Sequence, residues 1–482
     1  MQKIDIPFGG EYKSDALSIS NQNIVNCYIN VPQTQSFSQS NLFGTAGISE
    51  IITTGAIKQV NRGCHVKAGA FYFVNGDTLY RLDVANNVFS YVALGIIEGT
   101  ERCSFADNGT QLMIVTNNDG WIINEDDATP FQKISDTDFK ANGNPQQVVF
   151  IDSFFVVTTD SKKFIKSAAN DGLSWNALDF ASAEADPDNI VSAIVNKNRL
   201  FIAGSETIEV FENLGLGGFP FQRVTGLVIP KGCFSPFSMI SIGDSFMWIG
   251  GGTDESAAIW QLNGSTAQKV STTAIDSELQ GFSESDLAEA FAWSYAQKGA
   301  FFVGFSFPSV TFVYDIITGQ WHERKSTIVD TKGITSTVRC RINSLATAYG
   351  RVICCDSQDG RVGELSTDIN KEYEQPLIRE FSTITIYNEG NSFSIPQVEL
   401  TMESGVGNTE QPDPQIRMSH SKDAKKFSDE ISRSVGEVGE FRRRQIWRGL
   451  GRFPRMGVIK WRFSDPCKFA VIKLTVGIKV GR

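Results

Sequence analysis

Apolar residues along the first three quarters of the chain come in paired bursts: an apolar strand, a Gly, Asp or Asn turn, a second apolar strand, then an aromatic or basic edge. Seven copies follow one another. They are Gly69–Val74 with Thr78–Leu82, Leu112–Val115 with Gly120–Ile123, Phe154–Val157 with Lys163–Ile165, Leu200–Ala203 with Thr207–Phe211, Phe246–Ile249 with Ala258–Trp260, Phe301–Gly304 with Thr311–Tyr314, and Val352–Cys355 with Val362–Leu365. Anchored on Phe71, Leu112, Phe154, Leu200, Phe246, Phe301 and Val352, the steps are 41, 42, 46, 46, 55 and 51 residues, the size of a four-stranded propeller blade.

The pattern predicts an all-β chain with a β-propeller, seven blades preferred and six if one copy is irregular. A preceding strand such as Val148–Ile151 or Val191–Val195 is expected to run innermost along the central channel. The seventh copy lacks an outer strand, and Ile48–Ile52 near the front is placed to supply it, removing an exposed edge. The rival architecture, a pair of β-sandwiches, requires no such period. Tyr314–Trp321 carries Asp315, Thr318 and Gly319 where a turn needs caps and a left-handed residue, then an aromatic to pack between blades. Ser283 opens a capping box with Asp286, predicting a short helix whose insertion explains the longest step.

After Asp368 the repeat stops. Strand-like pieces at Phe381–Tyr387, Gln397–Met402, Gln415–His420, Gly457–Phe463 and Ala470–Lys479 predict a separate antiparallel, sandwich-like β domain. The expected organisation is an extended N-terminal segment (1–44), a propeller (45–367) and a C-terminal β domain (368–482).

Composition agrees with many short strands and tight turns: 43 Gly and 35 Phe against 7 Met. The net charge of −10 is unevenly spread, because residues 371–482 hold 19 Lys+Arg against 14 Asp+Glu and leave 25 against 40 in the body. An acidic body argues against general wrapping of nucleic acid. The first ten residues carry no apolar leader, and no apolar run is long enough to span a bilayer, so neither secretion nor membrane insertion is expected. Eight scattered cysteines without a C-x-x-C pair read as reduced, mostly buried thiols of a protein made in a cytoplasm.

Catalytic signatures fail on spacing. The glycine-rich stretches 215–220 and 449–454 end in Pro and open no helix, so they read as turns. His65, His322 and His420 lie far apart, His322 reads as a strand-edge residue, and no nucleophile elbow or phosphate loop occurs. Ala168–Trp175 resembles the Asp-box turn of sialidase propellers, which keeps a propeller glycosidase or depolymerase as the alternative function. That turn is a folding element away from the catalytic pocket, and no carboxylate pair stands out among 54 acids. The expectation is no enzyme, no cofactor and no metal site.

The sharpest charge feature is the basic cluster Arg442, Arg443, Arg444, Arg448, Arg452, Arg455, Lys460 and Arg462, interleaved by Phe441, Trp447, Phe453 and Trp461. Two readings stand side by side: docking onto an acidic subunit or the DNA backbone, and a solvated face whose Arg stems cover an apolar sheet.

Several short words, taken in order, resemble one family. They are Ile6–Gly10, Asn21–Asn30, Leu42–Gly47, Gly204–Phe211, Lys231–Cys233, Phe312–Asp315, Gly360–Leu365, Ser419–Arg444 and Trp447–Leu450. In that order they resemble the packaged-DNA stabilisation proteins of short-tailed bacteriophages, with Ala46 departing from the expected Gly-Thr-Pro-Gly turn. The resemblance implies a virion tail hub or nozzle, a homohexamer below the portal and adaptor rings, closed by a needle or plug and flanked by tailspikes. It implies that packaged DNA passes without sequence readout, and it brings no catalytic residues.

Overall fold

The computed structural model describes residues 2–55, 60–184, 188–329 and 332–480. Each sequence copy folds as a four-stranded antiparallel sheet. Blade one comprises Asn61–Lys67, Ala70–Asn75, Thr78–Ala85 and Val88–Ile96, innermost to outermost. Blades two to six begin at Ser104–Asp107, Pro145–Ile151, Ile190–Asn196, Ile240–Ile242 and Phe291–Gln297. Blade seven has Ile342–Ala348, Arg351–Asp356 and Arg361–Ser366, with Gly47–Thr53 as its outermost strand. The expected closing strand is therefore in place, Ile48 opposite Leu365 and Ile52 opposite Val362. Innermost strands touch in cyclic order from blade one round to blade seven and back to blade one, so the ring closes at seven.

The sequence pattern has a direct physical cause. Second strands such as Leu112–Val115 are buried at every position, because both faces of a blade are covered by its neighbours. Innermost strands instead alternate buried with half-buried positions, as in Ile190–Asn196, whose side chains pack on the blades to either side. In the predicted hairpin Asp315 caps Ile317 N at 3.0 Å and Thr318 Oγ1 at 2.9 Å, and Trp321 Nε1 of blade six reaches Val270 O beyond blade five at 3.1 Å. Between these blades lie the expected helix Glu284–Ala288, with the Ser283–Asp286 capping box, and a further helix, Thr273–Leu279.

The C-terminal domain is a two-sheet sandwich. One sheet runs Gln445–Arg448, Phe393–Met402, Ala470–Val480, Asn41–Gly44, Cys27–Asn30, with Gln2–Ile6 also pairing Ala470–Val480. The other runs Arg379–Ser382, Met456–Phe463, Gln415–Ser421, Ile431–Ser434. Trp447, Trp461, Phe381, Phe393 and Phe453 fill the space between them. The N-terminal segment, expected as a separate extended piece, instead supplies strands to this sandwich. Its Ile24–Val25 also lies between Arg379–Ser382 and the outermost strand of blade six, making one continuous ten-stranded sheet. His322 in that outermost strand is consequently buried rather than at a bare edge. Asn26 seals the junction by donating to Lys325 O at 2.8 Å and Ile378 O at 2.7 Å.

Beside this junction lies a cavity of about 270 Å³, onto which Glu11, Glu323, Lys325 and Lys13 open. Glu11 is buried and accepts a hydrogen bond from Ile24 N. Burial raises its carboxyl from 4.5 to about 8, aided by neighbouring Glu323, whose carboxyl burial also raises. A carboxyl raised on folding stabilises the fold fully below pH 4.5, and that contribution is lost as pH climbs towards about 8. Urea unfolding of the wild type across that window is expected to show a falling midpoint, and Glu11→Gln should flatten the slope. Equal slopes would refute the assignment.

Candidate functional site: the basic face of the sandwich

Alternation decides where the arginines point. Strand register lines up Ile4, Val476, Val398 and Trp447 across the first sheet, with Val476, Val398 and Trp447 facing the core. The next row, Lys3, Gly477, Gln397 and Arg448, faces outward, as do Lys479, Ser394 and Arg452. Trp447 and Phe453 are thus core residues, while Arg448 and Arg452 stand exposed between them in sequence. Phe441 differs from the other interleaved aromatics: it is 75% exposed, beside Val438 at 73%.

Part of the cluster is neutralised within the domain. Arg444 meets Glu399 at 2.6 Å, Lys460 meets Glu380 at 2.6 Å, and Arg462 and Arg443 sit 3.6 and 3.9 Å from Glu430 and Glu440. Arg452 donates to Ser392 Oγ at 2.8 Å. Among the described residues Arg442, Arg448 and Arg455 have no carboxylate within 4 Å. The structure also divides the sequence cluster, because Arg462 and Lys460 lie on the second sheet, in Met456–Phe463, and Arg455 sits at the turn leading into it. What gathers on the first sheet's outer face is Arg448, Arg452 and Arg444 with Lys3 and Lys479. The two lysines come from the ends of the chain, and no spacing rule could have joined them to the arginines.

One segment, Pro236–Phe237, ties inner strands of the propeller together. Pro236 O accepts from Gln147 of blade three and from Ser192 Oγ of blade four at 2.9 Å, and Phe237 O accepts from Ala292 N of blade six at 2.9 Å. Arg102 of the blade-two approach stacks 3.9 Å from the Phe291 ring centroid and donates to Asn343 O at 2.6 Å. Residues of five blades are thus linked through Pro236–Phe237 and Arg102, beside a cavity of about 280 Å³ that Arg102, Phe237 and Ala292 help to line.

The Asp-box-like stretch is the turn between two blade-three strands. Asn170 takes a positive φ of 56°, Leu173 N donates to Asp171 at 3.0 Å, and Trp175 packs on Phe139. It holds the hairpin and presents no reaction centre, so the glycosidase alternative finds no support. All eight cysteines are free thiols, seven of them buried. No helix among the described residues is long and apolar enough to cross a membrane, and no metal-holding cluster of His, Cys, Asp or Glu occurs among them.

Comparison with known proteins finds a match for a propeller and a match for a sandwich. The family described as "Bacteriophage P22 Gp10, beta-propeller" matches residues 2–370, and "Bacteriophage P22 Gp10, beta-sandwich" matches residues 378–479. No curated protein matches. Among solved structures, the WD40 β-propeller domain of Doa1 is similar at 12% identity and a TM-score of 0.41, over 67% of this chain and 97% of that one. The N-terminal domain of Nup159 is similar at 11% identity and a TM-score of 0.42, over 70% and 98%. With the propeller and the sandwich each matched along nearly their whole length, the chain belongs to the phage P22 Gp10 family, the packaged-DNA stabilisation proteins of short-tailed phages.

Proposed function

We propose that this chain is a non-enzymatic structural protein of the virion tail, a nozzle subunit that assembles six-fold below the portal and adaptor rings. In that position the ring holds packaged DNA behind a needle or plug, with tailspikes alongside, and later conducts the genome out. The observation that carries the reading is the outer sandwich face, where Arg448 has no carboxylate partner and exposed Arg442 lies in the turn before its strand, while residues 1–370 hold 15 more acids than bases, 40 against 25. Unpaired guanidinium groups on a stiff sheet suit docking onto acidic protein surfaces, where each desolvated charge pair adds specificity. The inner-strand ties at Pro236–Phe237 fit the same picture, in which DNA passes between copies rather than through one. An acidic wall around that passage repels phosphate and lets the duplex slide without sequence readout.

The test is charge reversal. Arg442→Glu/Arg448→Glu/Arg452→Glu, all at exposed positions, should change the unfolding free energy by no more than about 0.5 kcal/mol per site while abolishing six-fold annuli in single-particle images with the adaptor present. If annuli persist and only DNA release changes, the arginines face the lumen instead.

A further inference from the structure

The outermost strand of blade one is unlike those of the other blades. Val88–Ile96 is nine residues long and contains no charged residue, and its outer edge pairs with nothing among the described residues. Val88, Tyr91, Val92 and Ile96 are 68, 40, 43 and 52% exposed. Elsewhere the chain guards its blade edges. Blade six is extended by Ile24–Val25 and blade seven by Lys371–Glu372, blade two ends on the short Phe131–Lys133, and the outer strands of blades three and four carry Asp179 and Arg223. A long, uncharged, open edge is a template for another strand, and proteins ordinarily blunt it.

The same chain holds a segment of matching chemistry. From Ala16 to Ser49 no residue is charged. Within that stretch residues 31–39 belong to no strand and make no backbone-to-backbone hydrogen bond among the described residues. Val31 and Phe37 are 51 and 68% exposed. Within the segment Ser38 N and Ser38 O are bonded to the Ser36 hydroxyl, the remaining backbone groups have no hydrogen-bond partner among the described residues, and neither element carries a charge that would oppose their meeting.

We propose that residues 31–39 of one copy add as an extra strand to the Val88–Ile96 edge of the neighbouring copy. The inference rests on the ring reading above. A ring requires a heterologous contact, one patch given and a different patch received, and strand addition at a sheet edge supplies it through main-chain hydrogen bonds. Each copy donates its 31–39 segment and accepts its neighbour's, so every edge in the closed ring is covered.

The experiment uses the full chain. Copies carrying Val92→Cys are mixed with copies carrying Cys at Gln33, Gln35 or Phe37, under conditions where wild type forms annuli, and oxidised with diamide. A covalent dimer should appear in the mixture and in neither population alone. Val92→Lys, at an exposed position, should keep the wild-type circular dichroism and thermal midpoint while losing the annulus. A dimer from Val92→Cys copies alone would show that the edge pairs with itself and overturn the assignment. Annuli that survive Val92→Lys without any mixed dimer would overturn it too and leave the ring standing. Wild type that forms no annulus, even with adaptor present, would remove the ring and this contact together.

Discussion

Asp356→Ala is expected to cost about 3–5 kcal/mol, one of the two largest single-residue losses anticipated for the chain. Arg341 Nε donates to Asp356 at 2.5 Å, and both side chains are almost wholly buried, 2 and 0% exposed. Asp356 also accepts from Gln358 N at 2.7 Å. Removing the carboxylate leaves a guanidinium in blade seven without its bonded partner, stacked on the Tyr373 ring, and burial makes such a charge expensive. The double replacement Arg341→Met/Asp356→Leu removes both charges at similar volume and should recover most of the loss. Urea unfolding followed by tryptophan fluorescence measures both, and equal losses for single and double variants would show that shape, rather than the unpaired charge, sets the cost.

The second large effect lies at the ring closure. Ile48 is 1% exposed, pairs with Leu365 on one side and Glu372 on the other, and packs so closely on blade seven that a Cβ on Gly363 would lie 2.4 Å from its Cγ2. Ile48→Ala should cost about 2–5 kcal/mol, because these rigid neighbours cannot collapse into the cavity. Hydrogen exchange should locate the damage: amides of Gly47–Thr53 and Arg361–Ser366 lose protection first, since Gly47–Thr53 is the outermost strand of the last blade and pairs directly with Arg361–Ser366. Protection lost evenly over all blades would contradict a closure made by one strand.

The two sites differ in how far sequence could reveal them. Ile48 was legible, because an incomplete seventh copy and a spare β-branched run near the front call for each other. The Arg341–Asp356 pair was not, since Arg341 lies at the start of a blade-seven inner strand among ordinary alternating residues and its partner is chosen only when the blade folds back. The basic cluster stands between these cases. Its alternation with Trp447 and Phe453 was visible, and the outward arginines follow from period two. Yet Gln445–Arg448 was not foreseen as a strand, and the lysines that share its face come from residues 3 and 479.

What the chain order alone determined is the blade. Pairing within a hairpin is local, the side-chain period is two, and a blade covered on both faces writes itself as an uninterrupted apolar run. What only the tertiary structure decided is how distant pieces complete one another. Ile24–Val25 stitches propeller to sandwich, Gln2–Ile6 returns to the last strand, and Pro236–Phe237 ties the inner strands of blades three, four and six. The first two join residues hundreds apart through backbone hydrogen bonds that any sequence can make, and the third uses backbone carbonyls as acceptors, so no side-chain pattern announces them. They form where an open sheet edge or a buried polar group is left to be satisfied, and that remainder exists only once the blades have folded.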